Sequence, residues 1–177
     1  MSPQELEHYL HTHIPLSKAM EVSVLRAQPD TVTLSAPLAP NINHRETVFG
    51  GSASAMAILA AWSLLHIRMT GEGIASRLVI QSNRMTYLLP IEGTFTAVAA
   101  APVSHEWVRF LRTFRRRGKA RITMVSELHF AGHVAGRLEG EFAALGAAAA
   151  RVRFGSANGP GHRSTPCARV IFEGESA

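Results

Sequence analysis

The sequence predicts an α+β domain in which one long, mostly buried helix is wrapped by a curved antiparallel sheet. Three observations carry this. The segment 52–70 is apolar on almost all sides, which means burial on most faces. Four strand-like stretches follow it, at 77–89, 94–103, 120–130 and 133–145. The third alternates cleanly, with Ile122, Met124, Leu128 and Phe130 opposing Arg121, Thr123, Glu127 and His129, the pattern of a half-buried antiparallel strand. A single buried helix needs a surface that curves around it, and such a sheet supplies one.

The elements can be justified in order. Ser2 is a candidate N-cap, Pro3 suits the first helical position, and Glu5 stands three residues after the cap. With Leu6, Tyr9 and Leu10 at helical spacing, 2–13 reads as a short amphipathic helix. Segments 18–28 and 31–36 alternate around Pro29-Asp30, with Met20, Val22 and Val24 on one side and Val32 and Leu34 following, so they read as a hairpin. An Asn-containing loop then leads into helix 52–70, closed by Gly71 and Gly73. Between the second and third of the later strands, 104–118 holds a helical turn bearing arginines. From Gly146 onward an alanine run and Asn158-Gly159-Pro160-Gly161 show little periodicity. The expected organisation is therefore one domain over 1–145 and a loosely ordered tail over 146–177.

Composition excludes several classes. The chain has 177 residues, 46% hydrophobic and 18% charged, which is globular. Its first 15 residues carry Glu5, Glu7 and three histidines without an apolar core, unlike a signal peptide. The apolar run 53–65 is interrupted by serines and is short for a membrane span. One cysteine, Cys167, excludes an intramolecular disulfide framework and suits a cytoplasmic location. No Cys/His pair has zinc spacing, so neither a metal nor a cofactor is expected. The net charge of +5 comes from one patch, Arg109, Arg112, Arg115, Arg116, Arg117, Lys119 and Arg121, and the rest of the chain is slightly acidic. Such a patch is a solvated face, a grip for the phosphates of a small molecule, or a nucleic-acid surface. Only Phe110 and Phe114 are interleaved with it as stacking platforms, so no nucleic-acid partner and no membrane partner is expected.

The most informative stretch is Pro40-Asn41-Ile42-Asn43-His44-Arg45-Glu46-Thr47-Val48-Phe49-Gly50-Gly51-Ser52, which delivers a polar loop and two glycines onto the buried helix. A helix start leaves backbone N–H groups unpartnered and carries about half a positive charge, so it attracts a developing oxyanion. Ser52 is a suitable N-cap, and Gly50 and Gly51 let a ligand approach the main chain. The same signal also fits an ordinary loop-to-helix junction.

The chain is similar to the YiiD C-terminal thioesterase family of hotdog-fold proteins. The residues carrying the likeness are Pro37-Leu38-Ala39-Pro40-Asn41-Ile42-Asn43-His44, Thr47, Phe49-Gly50-Gly51-Ser52, and Tyr87-Leu88-Leu89-Pro90 with Gly93. The likeness covers about 6–145. It implies a central helix in a wrapping sheet, two subunits paired with acyl-CoA sites at their interface, and hydrolysis of an acyl-CoA or acyl-carrier-protein thioester. Phenylacetyl-CoA-type thioesterases carry an asparagine and a Gly-Gly pair matching Asn43 and Gly50-Gly51. They also place a carboxylate about two turns into the helix, where this chain has Ile58, Leu59, Ala60 and Ala61.

The catalytic candidates are accordingly Asn43, His44, Gly51, Ser52 and Asn83, and the substrate-binding candidates are Phe49, Gly50, Arg115, Arg116 and Arg117. Asn43 either orients the carbonyl or attacking water or caps its own turn. His44 has the chemistry of a general base, and a histidine in a loop is often only a surface residue. The N–H groups of Gly51 and Ser52 are the oxyanion donors. Asn83 positions water or sits on a strand edge. Glu46 is the only loop carboxylate. Trp62, Met56 and Met69 are core or pocket wall. The expected partner besides substrate is a second copy of the chain, as homodimer or higher homo-oligomer. The rival is a non-catalytic acyl-CoA binder on the same fold.

Overall fold

The computed structural model describes residues 1–146. Helix α1 (Pro3–His13) opens with the expected capping box, in which Ser2 Oγ accepts from Glu5 N–H at 3.2 Å and Glu5 Oε2 accepts from Ser2 N–H at 2.7 Å. The predicted early hairpin begins later than expected. Pro15 restarts a short helix, α2 (Pro15–Ala19), and Glu21 takes a left-handed φ of 54°. Strand β1 (Ser23–Ala27) therefore follows a turn, and the buried Met20 and Val22 belong to that turn. Their alternation with Val24 comes from the turn's geometry.

Strand β2 (Thr31–Ala36) leads through a single 3-10 turn, Ala39–Asn41, to the loop and to α3 (Gly50–Gly71). Then come β3 (Arg77–Tyr87), β4 (Phe95–Ala100), α4 (Ser104–Arg117), β5 (Lys119–Phe130) and β6 (His133–Leu145). The 104–118 segment is a helix of fourteen residues rather than one turn. Its Trp107, Phe110, Leu111 and Phe114 face inward at helical spacing while its arginines face out. The tail proposed for 146–177 lies outside the described residues, as does Cys167, except for Gly146, whose N–H donates to Gly118 O at 2.8 Å.

The six strands form one antiparallel sheet in the order β1-β2-β4-β5-β6-β3. The inner face of β5 presents Ile122, Met124 and Leu128, and β6 adds Leu138 and Phe142, all buried in the one core that also takes in α3. Small residues let helix and sheet approach closely. Ala57, Ala60 and Ala61 of α3 and Ala97 and Ala99 of β4 are all at 0% exposure. Ser126, the polar residue on the inner face of β5, donates to Ala57 O at 2.7 Å, so its burial leaves no orphan hydroxyl. Removing either of the fully enclosed Phe95 or Phe142 to alanine costs about 3–5 kcal/mol on general grounds. At 22 residues α3 is long and apolar enough to cross a membrane by length and composition, but here it is the core helix inside the sheet.

Two side chains of α3, Arg68 and His66, tie it to its neighbours. Arg68 lies 4.3 Å over the Trp107 ring and donates to Pro29 O at 2.7 Å, joining α3 to α4 and to the β1–β2 turn. At the α1 side, Tyr9 stacks on His13 at 4.2 Å and on His66 at 4.7 Å, and His66 stacks on Trp62 at 4.9 Å. Burial, and secondarily the nearby His13, hold the His66 imidazole below its ordinary pKa.

Candidate active site at the start of the buried helix

The loop ahead of α3 is built on Asn41 rather than on Asn43. Asn41 is 1% exposed and donates through Nδ2 to Pro37 O at 2.8 Å and to Met20 O at 3.0 Å. Its carbonyl accepts from Phe49 N–H at 2.7 Å, so both ends of the loop meet on one residue. Val48 N–H donates to Ile91 O at 2.8 Å and ties the loop to the segment after β3.

Asn43 closes the loop tip. Its Nδ2 donates to Thr47 Oγ1 at 2.9 Å and to Val48 O at 3.3 Å, and its Oδ1 accepts from Arg45 N–H at 2.7 Å. Both amide hydrogens are thus committed inside the loop, and one acceptor position on Oδ1 is left. Of the two roles open for Asn43, the geometry provides the turn fastener directly. His44 and Glu46 are exposed at the tip, with Arg45 Nε 3.3 Å from His44 Nε2 and Glu46 at a left-handed φ of 60°.

Helix α3 begins two residues before the expected Ser52 cap. Phe49 is the N-cap residue and makes no side-chain cap bond. Gly50 and Gly51 take helical backbone angles, so their lack of a side chain matters for close approach and not for an unusual φ. The first bond of the ladder runs from Ala53 N–H to Phe49 O at 3.0 Å. The N–H groups of Gly50, Gly51 and Ser52 lie ahead of it and have no acceptor within the helix. Two aromatic rings flank them. Tyr87, the last residue of β3, donates its hydroxyl to Gly50 O at 2.9 Å, and the Phe49 ring lies over Gly51.

Beside this mouth is an apolar cavity of about 290 Å³, lined by Val48, Ala53, Tyr87, Leu89, Leu128 and Ala135 among others. Its outer wall is held in place by the N–H groups of Leu88 and Leu89, which both donate to Ala135 O, at 2.9 and 3.1 Å. No charged side chain lines it.

The structure therefore brings together Asn43, His44, Phe49, Gly50, Gly51 and Ser52 on one loop and helix start, and leaves four candidates elsewhere. Asn83 is exposed on the edge strand opposite Gly140, four residues and so about 13 Å along β3 from Tyr87. Arg115, Arg116 and Arg117 end α4, where Arg115 pairs with Glu72 at 3.0 Å just beyond the C-terminus of α3. A helix of 22 residues spans about 33 Å, so within one protomer these arginines and the helix mouth lie at opposite ends of α3. Sequence reasoning assigned no site role to Asn41 and Tyr87, although both stand in the motifs that carried the family likeness. The described residues hold no cluster of three His, Cys, Asp or Glu side chains that would suit a metal ion.

This helix, sheet and mouth are those of a hotdog thioesterase-type protein. The chain belongs to the family described as "Putative thioesterase (yiiD_Cterm)", whose model matches residues 3–146. Among solved structures it is similar to a protein of unknown function from Chlorobaculum tepidum, at 30% identity and a TM-score of 0.78, covering 82% of this chain and 97% of that one. It shares the fold of a "putative thioesterase" from Shewanella oneidensis, at 24% identity, TM-score 0.72, and 81% and 96% coverage. A "probable thioesterase" from Pseudomonas aeruginosa has the same fold at 19% identity, TM-score 0.70, and 81% and 95% coverage.

Proposed function

We propose that the protein hydrolyses the thioester of an acyl-CoA or acyl-carrier-protein substrate and works as a homodimer. The observation that carries this is the set of three N–H groups without an acceptor in the helix, on Gly50, Gly51 and Ser52, that lie beside an uncharged apolar cavity. In this reading the acyl tail occupies the cavity and the thioester carbonyl oxygen points at the helix mouth. As water adds to the carbonyl carbon, negative charge gathers on that oxygen, and donors already aimed there stabilise it without reorganising. Asn43 keeps the loop in register through its bonds to Thr47 and Val48, and its remaining acceptor position on Oδ1 is available to the water. His44 is the loop's candidate for taking the proton. The thiol leaves when the tetrahedral adduct collapses.

Pairing of subunits is supported by the edge strand. β3 has eleven residues, is bonded on one side to β6, and has no strand on its other side among the described residues. A long open edge is a template for another strand. A second copy of β3 would supply one and would carry Asn83 of each subunit into the interface.

A second reading, a protein that binds acyl thioesters without turnover, is favoured by the run Ile58, Leu59, Ala60 and Ala61, which puts no carboxylate two turns into α3. The test is a panel of acyl-CoA and acyl-carrier-protein thioesters, with thiol release and product masses followed together. Turnover with free thiol and free acid above the uncatalysed rate supports hydrolysis. Saturable binding with no product supports the binder, and neither binding nor turnover overturns both. Sedimentation at micromolar concentration checks the dimer, and an active monomer would overturn it.

A further inference from the structure

Phe49 and Gly51 are sterically matched. A Cβ atom placed on Gly51 would stand 2.2 Å from Phe49 Cε1 and 2.9 Å from Cδ1 and Cζ, so the ring occupies the space that any other residue would fill. Cα–Cβ bonds of a helix tilt toward its N-terminus. That space therefore lies toward the open end of α3, beside the N–H groups of Gly50, Gly51 and Ser52.

The backbone of Phe49 is fixed while its ring is not. Its N–H is bonded to Asn41 O at 2.7 Å and its carbonyl takes the first ladder bond from Ala53, yet 56% of the residue is exposed. The other ring at the mouth behaves differently, because the Tyr87 hydroxyl is bonded to Gly50 O. One aromatic wall is tethered and the other can turn about χ1 without breaking a hydrogen bond.

We propose that Phe49 is a steric gate over the helix mouth, held closed here, and that Gly51 is the residue that allows it to close. Resting on the thioester reading, the gate turns aside to admit the carbonyl while the acyl tail enters the cavity behind Tyr87. Phe49 is a positioning residue, since it donates nothing to the reacting atoms. With the ring closed, only a fraction of molecules can bind, and apparent affinity falls by that fraction.

The test combines Phe49→Ala, Gly51→Ala and the double variant with three measurements. In the wild-type background Gly51→Ala displaces the ring and loses the closed contact, so its effect on the melting temperature is less favourable than the same change made without the ring. In the Phe49→Ala background the same change is neutral or raises it, because alanine is the better helix former. An equal change in both backgrounds would overturn the match. Calorimetry with octyl-CoA thioether as probe should show Phe49→Ala binding about two- to tenfold tighter, as the closed state no longer competes. Binding weakened about tenfold instead would make the ring a wall of the site and overturn the gate. Finally, 4-fluorophenylalanine at position 49 should give a ¹⁹F spectrum of two exchanging environments that collapses to one in Gly51→Ala. A single environment indifferent to residue 51 would overturn the gate whether or not any thioester binds. Two environments with no probe binding in any variant would instead reject the thioester reading.

Discussion

The hydroxyl of Tyr87 donates a 2.9 Å hydrogen bond to the carbonyl of Gly50, joining the last residue of the edge strand to the first residue of the buried helix. The two lie 37 positions apart in sequence. A Cβ added to Gly50 would meet the Tyr87 ring at 3.4 Å, an ordinary van der Waals contact, so the hydrogen bond and not the missing side chain defines this pairing. The edge strand is thereby tied to the helix mouth.

Tyr87→Phe keeps the ring and removes the bond. The expected loss is about 0.5–1.5 kcal/mol of stability, the usual worth of one hydrogen bond, checked by urea unfolding. Turnover should fall further than stability does, because the N–H groups of Gly50 to Ser52 lose their anchor. Unchanged turnover would mean that α3 is positioned by its core packing alone.

At Asn43 the structure separates two effects. Asn43→Ala removes three loop bonds, whereas Asn43→Asp keeps an acceptor for Arg45 N–H and loses the donors to Thr47 and Val48. If the residue acts in the reaction, Asn43→Ala lowers kcat roughly tenfold to a thousandfold while substrate binding persists. Asn43→Asp should be impaired as well, since the loop opens. Steady-state kinetics of both variants decide this, and wild-type rates in Asn43→Ala would leave the residue a turn fastener only.

Replacing Arg115, Arg116 and Arg117 together with serine tests the distance along α3. Because one protomer holds these side chains at the far end of the helix from Gly50, KM for a CoA ester should stay within about threefold of wild type. A rise of tenfold or more would place the partner subunit's α4 at the mouth. The Arg115–Glu72 pair is exposed on both sides, so its loss should cost less than about 1 kcal/mol.

His66 supplies a pH dependence. Its pKa is lowered in the folded protein, by burial first and by His13 second, from an ordinary value of 6.5. The unfolded chain therefore takes up the proton before the folded one does. The stability tied to neutral His66 is present above the unfolded value and is lost as pH falls from about there through the lower folded value. Melting curves between pH 5 and 8 should show a shallower acid-side decline in His66→Gln than in wild type. Parallel curves would mean that the stack on Tyr9 and Trp62 accepts the charged ring without cost.

Local chemistry made much of this protein readable from the sequence. The capping box at Ser2 and Glu5, the alternation of β5 and the all-round apolar character of α3 are short-range signals, and each element formed. The loop before α3 was likewise visible as a polar, glycine-ended lead into a buried helix. Tertiary structure decided what spacing does not encode. The helix start moved from Ser52 to Gly50, because two glycines with ordinary angles extend a helix without announcing it. The 104–118 segment became a full helix because Trp107, Phe110, Leu111 and Phe114 found a core to face. Asn41 emerged as the anchor of the loop only once Met20 and Pro37 were beside it. Tyr87 reached the helix mouth, and Arg115 to Arg117 were set at the other end of α3, for the same reason. Strand order and helix length fix which distant residues meet, and neither is written in the vicinity of the residues concerned.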